Sequence, residues 1–242
     1  DPDDGDGIKF STELGNATIY EDQIAIIQPE QIFYRHNHRI YLLPKAEPIE
    51  NNNFIVNYEL LFFYAGGGIS DIVSITAGRS FVPNIRSDQQ LSILDAKFTL
   101  LETPIDDRNS KLSFAVGANL GFVNHDNRML HYYGVGTLTL NRSAITAAIF
   151  YKAGSKDIYT VKMGNYSSPF LIRYADGSFG IGLGLDTKFS SYHNLHFIGE
   201  LWNSDVTKPT NTGVLLGLRL CSTKFSADFG MSFFTSPFVA PF

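Results

Sequence analysis

Three things are scarce in this sequence. Cysteine occurs once, at Cys221, which excludes an internal disulfide and any zinc site built on cysteines. Charged residues make up 18% of the 242 residues, against roughly 25% in an average soluble domain. The net charge of −5 comes largely from acidic residues at the N-terminus and in loops. No basic patch exists, so a nucleic-acid partner is not expected. Long apolar runs are also missing: the longest, LLFFYAGGGI from Leu60 to Ile69, runs into three glycines and falls short of the ~18 residues a membrane helix needs. The chain opens on DPDDGDG, with no basic stretch followed by an apolar one, and reads as a mature, processed protein.

What is abundant is alternation, in a chain that is 44% hydrophobic and 14% aromatic. In SFGIGLGLDTKF (178–189), Phe179, Ile181, Leu183, Leu185 and Phe189 share one side of a strand. Ser178, Gly180, Gly182, Gly184, Asp186 and Lys188 share the other. Leu112, Phe114, Val116, Ala118, Leu120 and Phe122 alternate with Ser113, Ala115, Gly117, Asn119 and Gly121. Phe225 to Phe233 and Val214 to Leu220 repeat the pattern, and Phe54, Val56, Tyr58, Leu60, Phe62 and Tyr64 oppose Asn57 and Glu59. A period of two over such lengths specifies strands. Turn signals separate them at GGGISD (66–71), HDN (125–127), ADG (175–177) and SDVTKPTNTG (204–213).

The non-aromatic face is too poor in Lys, Glu and Thr for a soluble sheet, because exposed glycine weakens a strand and packs nothing. A lipid-facing apolar surface and a small or polar interior fit better, and a soluble ligand-binding barrel is the structural alternative. Phe179 and Phe189 are ten residues apart, as are Phe54 and Tyr64. At about 3.3 Å per residue and a tilt near 40°, that rises roughly 25 Å, the height of an apolar membrane band. A sheet in lipid must close on itself, since an edge would leave amides unpaired in hydrocarbon.

On these repeated strands with aromatic rims, and on the terminal Phe242, residues 31–235 resemble the Gram-negative outer-membrane β-barrels. The resemblance implies an all-β antiparallel transmembrane β-barrel in the cell outer membrane, in contact with the lipid bilayer and its lipopolysaccharide. About twelve strands are expected, near 31–42, 54–65, 69–82, 91–102, 111–123, 129–140, 143–153, 157–174, 178–189, 193–202, 212–221 and 224–235. Dividing 157–174 at GNYSSP leads to fourteen and moves the long loop 203–211 to the outer side. Pro237 and Pro241 interrupt the tail TSPFVAPF. The closing strand is therefore expected to be 224–234 with an irregular tail, or a final strand is only partly present. Residues 1–29 form an acidic segment, expected as a tether, a plug or an extra strand, and 30–242 form the barrel.

Candidate chemistry is sparse. Asp1, Asp3, Asp4 and Asp6 resemble an oxygen-rich calcium loop, but Thr12 stands where an EF-hand places its closing glutamate. His36 and His38 share a strand face in RHNHR (35–39) without a third ligand. Ser191 with His193, or Ser143 with a distant histidine, lacks the context of a nucleophile. No catalytic, cofactor or metal site is expected, and an enzyme acting on lipid or peptide is the least favoured class. Glu59, Asp95, Lys97, Asn119, Asp186, Lys188, Glu200, Arg219 and Asp228 are expected to line the lumen. The expected function is a channel-like barrel or passive small-solute transporter. The alternative is a non-conducting accessory subunit of an outer-membrane complex, for which Ala118, Ala147 and Ala227 on the outer face leave room.

Overall fold

The computed structural model describes residues 7–12, 15–20, 38–59, 61–105, 110–123, 127–154, 156–162, 169–189, 194–222 and 225–234. The chain divides into two units, Asp1–Phe33 and Tyr34–Phe242. The first contains an antiparallel hairpin, β1 (Gly7–Thr12) with β2 (Gly15–Tyr20).

The second unit is an eleven-stranded antiparallel sheet. Its strands are β3 (Phe54–Glu59), β4 (Phe62–Ile69), β5 (Val73–Ser80), β6 (Leu91–Pro104), β7 (Lys111–Val123), β8 (Asn127–Thr139) and β9 (Ser143–Ala153), continuing with β12 (Phe179–Lys188), β13 (Leu195–Asn203), β14 (Thr212–Cys221) and β15 (Ser226–Phe234). Each pairs with its neighbour in that order. The exception to simple hairpins is the β9–β12 junction, where β10 (Ile158–Val161) and β11 (Phe170–Arg173) form a separate two-stranded ladder. The long strand expected over 157–174 is therefore two short ones. Among the described residues no ladder joins β3 to β15, so both are edges.

Sequence alternation sorts the faces as expected along most strands. Leu183 is 53% exposed and Phe229 76%, while Gly180, Gly182, Gly184 and Asp186 are buried on the opposite face. Two departures have local causes. Residues 54–65 are a hairpin rather than one strand: a turn containing Leu61 reverses the parity, so Tyr64 is buried while Phe54, Val56 and Tyr58 are exposed. The triple glycine 66–68 belongs to β4, and the chain turns at Ser70 and Asp71, both left-handed at φ 54° and 56°. In β6 a bulge between Thr99 and Leu101 adds one residue to the strand, leaving Leu100 and Leu101 exposed in succession.

The expected first strand over 31–42 is not one. Residues 31–37 lie outside the described set, and 38–50 form an irregular segment, tightened by hydrogen bonds from Lys45 N to His38 O (3.0 Å) and Ile40 N to Leu43 O (2.9 Å). Ile40, Leu43 and Ala46 are fully buried, in a core with Ala115, Tyr133, Val135, Phe150, Ile198 and Trp202. Two prolines, Pro44 and Pro48, keep this stretch out of any ladder.

The sheet curls around that segment. Arg39 pairs with Glu59 on β3, while the next residue, Ile40, gives its carbonyl to Arg219 on β14. In a flat sheet those strands would stand nine spacings of ~4.8 Å apart, roughly 43 Å. Adjacent residues are ~3.8 Å apart, and their side chains cannot bridge the remainder. Only a strongly curved sheet brings both strands to the same point.

Candidate functional site

Two buried charges of opposite sign hold residues 38–50 inside the sheet. Glu200, on the inner face of β13, accepts backbone N–H groups from Tyr41 (2.6 Å), Leu42 (2.9 Å) and Leu43 (2.9 Å), and the indole N–H of Trp202 (3.2 Å). Lys97, on β6, donates to three backbone carbonyls: Lys45 (2.6 Å), Glu47 (2.6 Å) and His38 (3.3 Å). An irregular segment cannot satisfy its own peptide groups, and unpaired buried ones are costly. Here a carboxylate takes the donors and an ammonium takes the acceptors. Thr99 Oγ1 donates to Ala46 O (2.8 Å), Thr137 Oγ1 accepts from Ala46 N (2.9 Å), and Ser74 Oγ accepts from Ile49 N (2.8 Å).

The wall leaves space for this segment by omitting side chains. A Cβ on Gly184 would lie 2.9 Å from atoms of Ile40 and Leu43, and one on Gly68 would overlap the carbonyl of Ile49. The small inner face of the sequence is thus, at these two positions, a seat for another part of the chain.

The nine residues expected on the inner face separate into groups. Asp186, Arg219 and Asp228 come together: Arg219 donates to Asp186 Oδ2 (3.0 Å), to Asp228 Oδ1 (2.9 Å) and Oδ2 (2.7 Å), and to Ile40 O. His196 joins this cluster through Asp186. Asp95 accepts the Tyr133 hydroxyl at 3.0 Å and shares a cavity wall with Lys97 and Asn119. Glu59 is engaged by Arg39. Lys188 stands apart at the end of β12, donating to Asn194 Oδ1 (2.9 Å). Most of these charges are spent on the interior segment or on each other.

Of the other candidates, Ser143 hydrogen-bonds Thr187 and His38 approaches the Tyr64 hydroxyl at 3.3 Å. His36, Ser191, His193 and the aspartates of 1–6 lie outside the described residues. Among the described residues no group of three or more His, Cys, Asp or Glu side chains could hold a metal ion. Sequence reasoning missed Glu47, which is 3% exposed and lies between Lys45 (2.8 Å), Lys111 (3.7 Å) and the Thr139 hydroxyl (2.6 Å). Burial alone would raise its carboxyl, but Lys45, Lys111 and Thr139 outweigh burial and hold it below the usual glutamate value. The signal was available in LLPKAEPIE, which breaks alternation and carries two prolines.

Beside the segment lies a cavity of about 540 Å³, with His38, Arg39, Asp95, Lys97, Asn119 and His131 at its polar end. Comparison with protein-family models, with curated proteins and with solved structures finds no match to this chain.

Proposed function

We propose that this chain is a lipid-embedded β-barrel of the outer-membrane type, a channel-like wall that residues 38–50 hold shut. The membrane part rests on the outer face, where Phe54, Val56, Leu100, Phe225, Phe229 and Met231 are each more than half exposed, a surface that water disfavours and hydrocarbon accepts. Among the described residues no helix is long and apolar enough to cross a membrane, so the strands would do the crossing. Curvature that brings β3 and β14 onto adjacent residues is what closure in lipid requires.

The single observation that carries the closed state is the pair Lys97 and Glu200, which in an open pore would face water and here bind six backbone groups of one segment. The passage is a conduit only when that segment leaves. In a planar bilayer the intact protein is expected to be silent, and deletion of residues 39–48 is expected to give stable conductance. Conductance of the intact protein would overturn the closed reading. Silence of both, with the deletion variant shown to be inserted, would favour a non-conducting accessory barrel, a reading that the packed core around Trp202 and Phe150 supports.

A further inference from the structure

We propose that the cavity beside residues 38–50 is a binding site for an uncharged amphipathic molecule carrying a hydroxyl head. At about 540 Å³ it has the size of a small-molecule pocket. Leu91, Ile93, Phe122, Met129, Val161 and Ile172 provide an apolar wall. Val161 and Ile172 come from the β10–β11 ladder, which packs with Met129, Tyr159 and Tyr174 in a cluster of its own. Among the polar residues, the formal charges cancel: Arg39 faces Glu59, and Lys97 and Asp95 line the same wall. A charged ligand would find no uncompensated partner.

The polar head is assigned by His131. This residue is 2% exposed; its Nε2 lies 3.1 Å from the Tyr174 hydroxyl, and its Nδ1 is buried with no hydrogen-bond partner. Buried polar atoms are almost always satisfied, so an unmatched ring nitrogen in a cavity wall marks where a ligand group belongs. Depending on the role Tyr174 plays at Nε2, Nδ1 is a donor or an acceptor. A hydroxyl answers either, which a carboxylate or an ammonium does not. The site does not depend on the membrane reading, because every wall residue belongs to the unit Tyr34–Phe242.

The chain has three methionines, and two of them make the test internal. Met129 lines the cavity, whereas Met231 is 61% exposed on the outer face. Detergent-solubilised protein labelled with [methyl-13C]methionine is titrated with octan-1-ol and, separately, with octane. A saturable shift of the Met129 methyl, with only a linear drift at Met231, is the expected result. Linear drift at both would mean partition into the micelle and overturn the site. A Cβ added at Gly121, also in the wall, meets nothing within 4 Å, so Gly121→Leu fills the cavity without a clash and is expected to weaken octan-1-ol at least tenfold. His131→Leu is expected to weaken octan-1-ol about tenfold and leave octane unchanged. Equal loss of both would overturn the hydroxyl assignment, and an unchanged response in Gly121→Leu would overturn the location.

Discussion

Glu200→Ala tests the closed interior directly. The substitution removes the acceptor for the N–H groups of Tyr41, Leu42 and Leu43, held at 2.6, 2.9 and 2.9 Å. A buried donor left unpaired costs about 1–3 kcal/mol, so three give about 3–9 kcal/mol. The upper end is not reached, because removing the carboxylate also removes its own desolvation. Breaking a buried charged contact from one side typically costs about 3–5 kcal/mol. At ~1.4 kcal/mol per decade, the docked segment should lose roughly 10²- to 10³-fold in population relative to the undocked one. Hydrogen exchange reads this residue by residue: the amides of 41–43 should exchange at least ~10²-fold faster, while those of the β7–β8 ladder keep their protection. Trp202, the single tryptophan of the chain, donates to the same carboxylate and is 1% exposed, so its emission should shift to the red. Unchanged exchange at 41–43 would refute the assignment of Glu200 as the anchor.

Three further outcomes follow from the same geometry. Gly184→Leu places a side chain where Ile40 and Leu43 pack and should destabilise the unit by about 1–3 kcal/mol through overpacking, measured by denaturant unfolding; a neutral result would mean the segment is not seated there. Glu47, with its carboxyl lowered in the folded protein, contributes stability that is present above the unfolded glutamate value of 4.5 and is lost as pH falls through the lower folded value. The stability gap between wild type and Glu47→Gln should therefore be full near neutrality and close below pH 4.5; a gap that persists in acid would contradict the Lys45 and Lys111 pairing. Leu183→Arg, in the middle of β12 on the exposed face, should cost about 2–4 kcal/mol when the protein refolds into lipid vesicles, whereas a water-facing Leu183 would tolerate the change.

How much of this could be read from the chain depends on which force acts locally. Where one face of a strand meets an apolar environment and the other a crowded interior, side-chain parity is visible, as in 179–188 or 111–123. Parity fails where a turn lacks glycine, proline or asparagine. The turn containing Leu61 interrupts an apolar run, so Tyr64 was grouped with outward residues although it is buried. The inward charges were legible as inward, but their role was not. Lys97, Glu200 and Arg219 reach a common segment only through the curvature of the sheet, and no local pattern encodes which distant backbone a side chain will meet. The segment itself was hidden by its composition: IYLLPKAEPIE is apolar enough to resemble a strand, and only Pro44 and Pro48 argue otherwise.

The way residues 38–50 are held also has a consequence for how the chain is built. Lys97 meets Glu47 across 50 residues, Glu200 meets Leu43 across 157, and Arg219 meets Ile40 across 179. Contacts of such separation form slowly, because the intervening chain must be organised before any of them contributes. Until β13 and β14 are in place, the peptide groups of 40–43 have no acceptor and the ammonium of Lys97 holds only one end of the segment. The last third of the chain thus completes the fit of the first, and assembly has a late, nearly all-or-none step in which the interior becomes dry at once.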